Sequence, residues 1–257
     1  CGDGVEYLRQ MGPVDFIYLD PARRDEHGSR TYAIEDCTPN VLELRDLLLA
    51  KSQCTLVKLS PMLDWRKAVA DFDGTVREVH IVATGNECKE LLLVLGQQVH
   101  EEPSAPRVFC VNDNQRIDYD SAAYTQGLRI GGKPLPEAKN YLYEPNASIM
   151  KAGCFDLVEE RFGVTQVGPS SHLFVSATPV ADFPGRGFAI EAIGGMNKKD
   201  IKRLLNGTKQ ANIAVRNFPL TAPQLRKKLK LADGGPVYLF GTTMQGCDHV
   251  LLRTSKI

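Results

Sequence analysis

The sequence predicts an α/β protein in which a parallel strand array, ended by an antiparallel hairpin, precedes an α+β segment and a small α/β domain. Strand-like and helix-like runs alternate through the first hundred residues, as they do in βαβ units. Residues 14–20 (VDFIYLD) are apolar on both faces, which is typical of a central parallel strand. The runs 76–85 and 86–96 are joined too closely for a crossover helix, so they predict an antiparallel hairpin.

The other elements of the first hundred residues follow from local signals. Thr38 and Pro39 supply an N-cap and a first-turn proline for a helix whose apolar positions recur at helical spacing. A second strand over 54–60 and a short helix over 61–72 come before the hairpin. We therefore expect three parallel strands, over 14–20, 54–60 and 76–85. Residues 86–96 would add a fourth strand that runs antiparallel to the third.

Segments rich in proline, glycine and charge predict three domains, over 1–100, 101–186 and 187–257. The middle one starts with two strands around an Asn-Asp-Asn turn and continues with a helix over 144–162. The last one alternates strands and helices. Its second helix is marked by a capping box, TAPQ at 221–224.

Composition narrows the class of protein. The seven cysteines are scattered without a Cys-x-x-Cys pair, which disfavours a disulfide framework and a zinc site and favours a reducing compartment, so we expect the cytoplasm. No apolar run has the length of a membrane span. From residue 188 onward, 12 Lys/Arg stand against 4 Asp/Glu, whereas the earlier residues carry the opposite excess. That asymmetry indicates either a polyanionic partner or ordinary solvated helix faces.

Several longer motifs together resemble a family of S-adenosylmethionine-dependent class I methyltransferases with a ferredoxin-like segment and a C-terminal THUMP-like domain. Asp20-Pro21-Ala22-Arg23, LVKLSPMLDW and the hairpin VHIVATGNECKELLLVLG resemble the second half of the catalytic sheet. YLYEPNASIMKAG and DFPGR resemble the ferredoxin-like segment, and NIAVRNFPLTAPQLRKKLKLADGGPVYLFGTT resembles the THUMP-like domain. The resemblance implies the C-terminal half of a Rossmann-like methyltransferase sheet followed by these two domains.

The resemblance implies that Asp20, Pro21 and Arg23 are catalytic. Methyl transfer from a sulfonium needs the nucleophile about 3 Å from the methyl carbon and a place for one proton. Asp20 and the Pro21 carbonyl can accept hydrogen bonds from a target amine. Arg23 stands where amino-methylating relatives carry an aromatic residue, and it can stack on a base or hold a phosphate. The loop after strand 54–60 has no cysteine, which disfavours covalent methylation of a uracil carbon.

The resemblance also implies that Asp3 and Gly4 bind the adenine of the cofactor and that Asp20 contacts the cofactor as well. Because the chain opens at Cys1-Gly2-Asp3, we expect it to be the C-terminal part of a larger enzyme, with an incomplete cofactor site. An open edge of strand 14–20 would then permit a homodimer.

Further substrate contacts are predicted at strand ends and in the last domain. Lys58, Ser60 and Asp64 line the crevice beside Asp20, or else Ser60 and Asp64 only start a helix. Asn86 and Glu87 follow the third strand at the same edge of the sheet. In the last domain Arg216 and Lys227 are expected to contact RNA; Phe218 either joins them or packs in the core.

These features support two functions. The first is methylation of a nucleobase in structured RNA, such as tRNA or rRNA, because THUMP domains bind such RNA. The second is a noncatalytic RNA-binding or interaction protein whose methyltransferase half is degenerate. No metal site is expected, because the consecutive residues Asp25, Glu26 and His27 are more typical of a surface loop.

Overall fold

The computed structural model describes residues 2–22, 34–96, 105–124, 139–246 and 248–257. The chain divides into two compact units, Cys1–Thr125 and Gln126–Ile257. Each unit contains one β-sheet with its own hydrophobic core. Both sheets are mixed, and helices pack against them, so the α/β class is confirmed.

The first unit is a six-stranded sheet with three helices. The helices are α1 (Gly4–Gln10), α2 (Val41–Lys51) and α3 (Trp65–Asp71). The strands are β1 (Val14–Leu19), β2 (Ser52–Leu59), β3 (Val76–Thr84), β4 (Glu87–Leu95), β5 (Arg107–Asn112) and β6 (Gln115–Asp120). Their order across the sheet is β1-β2-β4-β3-β5-β6.

The predicted hairpin of β3 and β4 is present, and β4 lies between β2 and β3. Strand β4 runs antiparallel to both neighbours, whereas β1 is parallel to β2 and β5 is parallel to β3. Strands β1, β2, β3 and β5 therefore point the same way. We call the edge of the sheet at which these four strands end the carboxyl edge.

One face of this sheet carries the core of the unit. Along β2 and β4 the buried residues alternate with half-exposed ones, as Val57, Leu59, Leu91 and Leu93 show. Helices α1 and α2 pack together through Leu8, Leu44 and Leu48. Phe16 and Tyr18 of β1 are 51% and 52% exposed.

Two local predictions differ from the structure in this unit. Asn40, not Thr38, caps α2, because the Asn40 side chain accepts from Leu42 N, while the Thr38 backbone is hydrogen-bonded to Ala22. The strand pair 107–120 was predicted to open the ferredoxin-like segment at residue 101. It extends the first sheet instead, because β5 pairs with β3 over six residues.

The second unit is a seven-stranded sheet with four helices. The helices are α4 (Ala147–Ala152), α5 (Phe155–Phe162), α6 (Lys198–Leu205) and α7 (Ala222–Leu229). The strands are β7 (Tyr141–Pro145), β8 (Thr165–Gln166), β9 (Phe174–Ser176), β10 (Gly185–Gly194), β11 (Asn212–Arg216), β12 (Val237–Thr243) and β13 (His249–Lys256). Their order is β11-β12-β13-β10-β7-β9-β8.

The single helix predicted over 144–162 is two helices. Glu144 and Pro145 end β7, and Asn146 caps α4 through a bond from Ile149 N. Gly153 then ends α4 at a φ of 67°, a left-handed conformation that favours glycine. The capping box of Thr221 and Gln224 at α7 is confirmed.

The second sheet is curled, so that its two end regions meet. Gln245 N, just after β12, donates to the carbonyl of Val167 at 3.0 Å, just after β8. Asn217 Nδ2, just after β11, donates to the carbonyl of Pro169 at 2.8 Å. The concave face encloses one apolar cluster that includes Leu142, Phe188 and Phe240, while α6 and α7 pack on the opposite face through a second cluster.

Candidate functional site

Several of the predicted site residues lie at the carboxyl edge of the first sheet. Asp20 follows β1, Ser60 follows β2 and Asn86 follows β3, and Asn112, which was not predicted as a site residue, ends β5. Loops at the carboxyl ends of parallel strands are where open α/β sheets bind ligands. This edge is therefore the candidate active site of the first unit.

Asp20 and Lys58 form the central contact of this site. Lys58 Nζ donates to Asp20 Oδ2 at 2.7 Å, and it lies 3.8 Å from Glu90 Oε1. The contact follows from the parallel register, in which Leu19 pairs with Val57, so that the next residue on each strand comes together. Glu90 arrives on β4, on the other side of β2.

The charges of this cluster favour ligands that donate hydrogen bonds. The pKa of Lys58 is raised, chiefly by its hydrogen bond to Asp20. Desolvation opposes this with a smaller effect, and the charges of Asp20, Tyr18 and Glu90 raise the pKa further. Lys58 is thus a cation near neutral pH. Two carboxylates around one ammonium leave a net negative charge, and among the described residues Asp20 Oδ1 accepts no hydrogen bond.

The backbone after Asp20 is fixed. Pro21 is buried, and Ala22 exchanges two backbone hydrogen bonds with Thr38, at 2.8 and 3.0 Å. These bonds hold the Asp-Pro segment at the end of β1. Arg23, predicted to stack on a base or hold a phosphate, lies outside the described residues, as do Asp25, Glu26 and His27.

Ser60 and Asp64 have contacts that start the following turn and helix. Asp64 Oδ1 accepts from Arg66 N at 2.8 Å and from Lys67 N at 3.2 Å, which makes it the N-cap of α3. Ser60 Oγ accepts from Met62 N at 3.3 Å, and Ser60 is buried. These contacts agree with the alternative in which Ser60 and Asp64 only start a helix, whereas Lys58 contacts Asp20 directly.

Asn86 and Glu87 lie at the tip of the β3–β4 hairpin. Asn86 N donates to Asn112 Oδ1 at 3.1 Å, and Glu87 pairs with Lys89 at 2.5 Å. Because Leu59 pairs with Leu91, Glu87 is four residues, or about 13 Å, beyond the end of β2. The structure brings this tip to the β5–β6 turn and not to Asp20.

Asp3 is the N-cap of α1, the helix before β1. Lys51, at the end of α2, donates to the carbonyl of Met11 at 2.5 Å, so α1 ends near the start of β2. Asp3 Oδ1 accepts from Val5 N and Glu6 N at 2.8 and 3.0 Å. Asp3 is exposed, and its other oxygen has the acceptor capacity that an adenine amine requires. Gly4, the other residue predicted to bind the adenine, has open space beside it, because a Cβ there would meet no atom within 4 Å.

Two further findings concern metal ions and membranes. Within the described part of the chain, no group of three or more His, Cys, Asp or Glu side chains is arranged to hold a metal ion. Among the same residues, none of the helices is long and apolar enough to cross a membrane.

Comparisons with known proteins identify the domains of the second unit. Residues 141–184 match the family model of a ferredoxin-like domain, and residues 185–256 match a THUMP domain-like family. The second unit therefore joins a ferredoxin-like domain to a THUMP-like domain. The sequence had indicated both families through its motifs, and that prediction is confirmed.

A solved structure shares the fold of almost the whole chain. It is the crystal structure of a "putative methyltransferase" from Porphyromonas gingivalis W83, with a TM-score of 0.87 and 35% identity over 99% of this chain. The chain spans 63% of the length of that protein. No curated protein matches the chain.

Three of the sequence motifs meet where the ferredoxin-like and THUMP-like domains join. Glu144, from YLYEPN, accepts from Arg186 of DFPGR and from Arg216 of VRNFP. Arg186 Nε is 3.0 Å from Glu144 Oε2, and Arg216 Nη2 is 2.7 Å from Glu144 Oε1. Sequence reasoning predicted Arg216 but missed Glu144 and Arg186. The only signal for them was that each lies in a motif carrying the resemblance.

The residues next to Arg216 have structural contacts. Phe218 packs beside Leu225 and Leu239 and lies against Gly241, where a Cβ would come within 3.1 Å of its ring. This is the core position that the sequence analysis had left open. His172 stacks on Phe155 with ring centroids 4.6 Å apart, and burial, followed by the charge of Arg216, lowers the pKa of His172.

The helices of the THUMP-like domain carry a basic surface. Leu204 of α6 and Leu225 and Leu229 of α7 join the same core cluster, so both helices lie on one side of the sheet. Their exposed lysines are Lys198, Lys199 and Lys202 on α6, with Lys227, Lys228 and Lys230 on or directly after α7. We call these six residues the lysine surface.

Proposed function

We propose that the chain is part of a methyltransferase that uses S-adenosylmethionine to methylate a nucleobase amine in structured RNA. The observation that carries the proposal is Asp20, held by Lys58 at the carboxyl edge of a sheet whose fold is similar to that of a protein described as a putative methyltransferase.

The absence of a cysteine pattern supports a reducing compartment, and we propose the cytoplasm.

The residues of the first unit fit this chemistry. S-adenosylmethionine, when bound, supplies a methyl group on a positively charged sulfur. Asp3 would hold its adenine through the exocyclic amine, in keeping with the exposed carboxylate oxygen there. Asp20 accepts a hydrogen bond from the target amine and orients the nitrogen lone pair, and Lys58 keeps the Asp20 carboxylate in place.

Glu90 gives this arrangement a second negative charge. Lys58 is shared between the two carboxylates, so Asp20 is not fully neutralised by its partner. A net negative site attracts an amine that gains positive charge as its nitrogen attacks the methyl carbon. The same site disfavours the approach of an anionic nucleophile.

The lysine surface supports RNA as the partner. Six exposed lysines lie on two helices that pack on the same side of the sheet, and the phosphate backbone of RNA supplies the matching charge. The THUMP-like family of this domain supports the same class of partner. We expect RNA affinity to fall steeply as salt rises, since counterions are released on binding.

The test is methyl transfer by the full-length protein that contains this chain, from labelled S-adenosylmethionine to total tRNA and to rRNA. Asp20→Asn is expected to lower the rate by about 10² or more. Asp15→Asn is the matched control, because Asp15 is an exposed carboxylate on the same strand. Equal rates for wild type and Asp20→Asn would overturn the assignment of Asp20.

A noncatalytic RNA-binding protein is the second candidate, and the lysine surface favours it because RNA binding there does not require Asp20. The two candidates differ in one result. Salt-dependent RNA binding together with no methyl transfer by the full-length protein would support the binding protein. Methyl transfer that requires Asp20 would support the enzyme.

A further inference from the structure

We propose that Arg186 and Arg216, oriented by Glu144, form a binding site for a phosphate group of RNA at the junction of the ferredoxin-like and THUMP-like domains. The proposal rests on the proposed function for the class of ligand, RNA. The site itself is argued from the geometry of the second unit.

Glu144 is a buried carboxylate that orients two guanidinium groups. Its side chain is 4% exposed, and each of its oxygens accepts from one arginine. The side chains of Arg186 and Arg216 are 44% and 39% exposed, so both cations also face solvent. Two cations share one carboxylate, and the cluster keeps a net charge of about +1.

The strand register explains why these residues meet. Arg186 pairs with Glu144 across β10 and β7, so these two side chains lie on one face of the sheet. Arg216 comes from β11, the strand at the far end of the sheet, and reaches Glu144 because the sheet is curled. The cluster therefore lies at the mouth of the concave face, above the apolar residues Leu142 and Phe188.

Spare hydrogen-bond donors are a second, independent sign of a ligand. Thr242 pairs in register with Arg216, is completely buried, and its hydroxyl has no hydrogen-bond partner among the described residues. Arg216 Nε is likewise buried without a partner in the described part of the chain. Native proteins rarely leave such donors unsatisfied, and oxygen-rich ligands or the water around them satisfy donors of this kind.

The chemistry of the site selects a phosphate. Guanidinium groups recognise phosphate oxygens through paired N–H donors of fixed geometry, and orientation by Glu144 reduces the entropy lost on binding. Both oxygens of Glu144 are already occupied by arginines, which limits its repulsion of an anion. Burial and the charge of Arg216 lower the pKa of His172, so its imidazole is neutral near pH 7 when the site is empty.

His172 provides a readout of the site that does not depend on catalysis. A phosphate bound beside Arg216 would stabilise the imidazolium, so the pKa of His172 should rise when the site is filled. We would follow the pH titration of His172 by NMR in the full chain, with inorganic phosphate and with an RNA hairpin as two separate probes. His172→Gln identifies the signal.

The variants are chosen so that the fold is preserved. Arg186→Gln leaves Glu144 paired with Arg216, and we expect it to weaken inorganic phosphate binding about tenfold. Lys209→Gln is the control, because it removes one positive charge from an exposed residue of the same unit. A saturable rise of the His172 pKa with both probes, reduced in Arg186→Gln but not in Lys209→Gln, is the expected result.

Two other results would overturn the proposal in distinguishable ways. A His172 pKa that does not change at high phosphate would show that the arginines only join the domains. If inorganic phosphate raises the pKa but a bound RNA hairpin does not, the site would not take an RNA phosphate. Failure of methyl transfer alone would leave the His172 result intact and would count only against the proposed function.

Discussion

Arg216 Nη2 lies 2.7 Å from Glu144 Oε1. This contact links β11, at one end of the second sheet, to β7 of the ferredoxin-like domain. These residues are 72 positions apart in the sequence. Glu144 accepts from Arg186 as well, so one buried carboxylate joins three strands of the curled sheet.

Replacing Glu144 by Gln should loosen this junction. The amide keeps the shape but removes the charge that balances two guanidinium groups, and breaking a buried ion pair costs about 3–5 kcal/mol. With Gln retaining one acceptor oxygen, we expect a loss of about 2 kcal/mol. This loss should appear as faster amide hydrogen exchange in residues 141–145 and 212–216.

Asp182→Asn is the control for Glu144→Gln, because Asp182 is exposed in the same unit. The fluorescence of Trp65, in the first unit, reports whether that unit is unaffected. Unchanged exchange at both strands in Glu144→Gln would contradict a stabilising role for the carboxylate.

Lys58 should react slowly with acylating reagents at alkaline pH. Its pKa is raised, chiefly by the hydrogen bond to Asp20, so less of the reactive neutral amine is present between about pH 9 and 10.5. Asp20→Asn removes the negative charge of that partner and weakens the bond, and it should increase the labelling of Lys58 several-fold. Mass spectrometry of the labelled peptides compares it with the exposed Lys199, and equal labelling of Lys58 in both proteins would refute the pairing.

The edge of β1 should permit self-association. Among the described residues, β1 is at the end of its sheet, and Phe16 and Tyr18 are largely exposed, a combination that favours pairing with another strand. The homodimer thus stays a prediction. Tyr18→Lys should shift the isolated chain toward monomer in analytical ultracentrifugation. Met62→Lys, an exposed apolar residue outside the strands, is the control, and an equal shift in both variants would argue against the edge.

The stability of the THUMP-like domain should depend on Glu191 in acid. Arg253 Nε donates to Glu191 at 2.7 Å, and this bond is the main cause of the lowered pKa of Glu191. A carboxyl whose pKa is lowered by folding stabilises the folded state fully at a pH above its pKa in the unfolded chain, about 4.3. That stabilisation is lost as the pH falls through its pKa in the folded protein. The pair is partly exposed, so we expect less than about 1 kcal/mol.

Comparing wild type with Glu191→Gln measures this effect. The difference in the free energy of unfolding should be present at pH 6 and should shrink below about pH 4. Hydrogen exchange in 249–256 follows it. A difference that stays constant down to pH 3 would show that the titration of Glu191 makes no contribution.

Local elements were predictable because their signals are local. The apolar run of β1, the short link between β3 and β4 and the capping box of α7 each depend on residues a few positions apart. The N-cap of α2 was misplaced by two residues, because Thr38 is bonded to Ala22, which lies 16 residues earlier in the chain. The resemblance, carried by whole motifs, correctly indicated the two domain families.

The sequence by itself determined the α/β class, the hairpin and the domain families, and it predicted Asp20 as a site residue. Only the tertiary structure decided which charged groups meet: Lys58 and Glu90 beside Asp20, and Arg186 and Arg216 around Glu144. It also placed strands 107–120 in the first sheet. The physical reason is that strand pairing and sheet curvature bring together residues tens of positions apart, and no periodicity within one segment encodes that pairing.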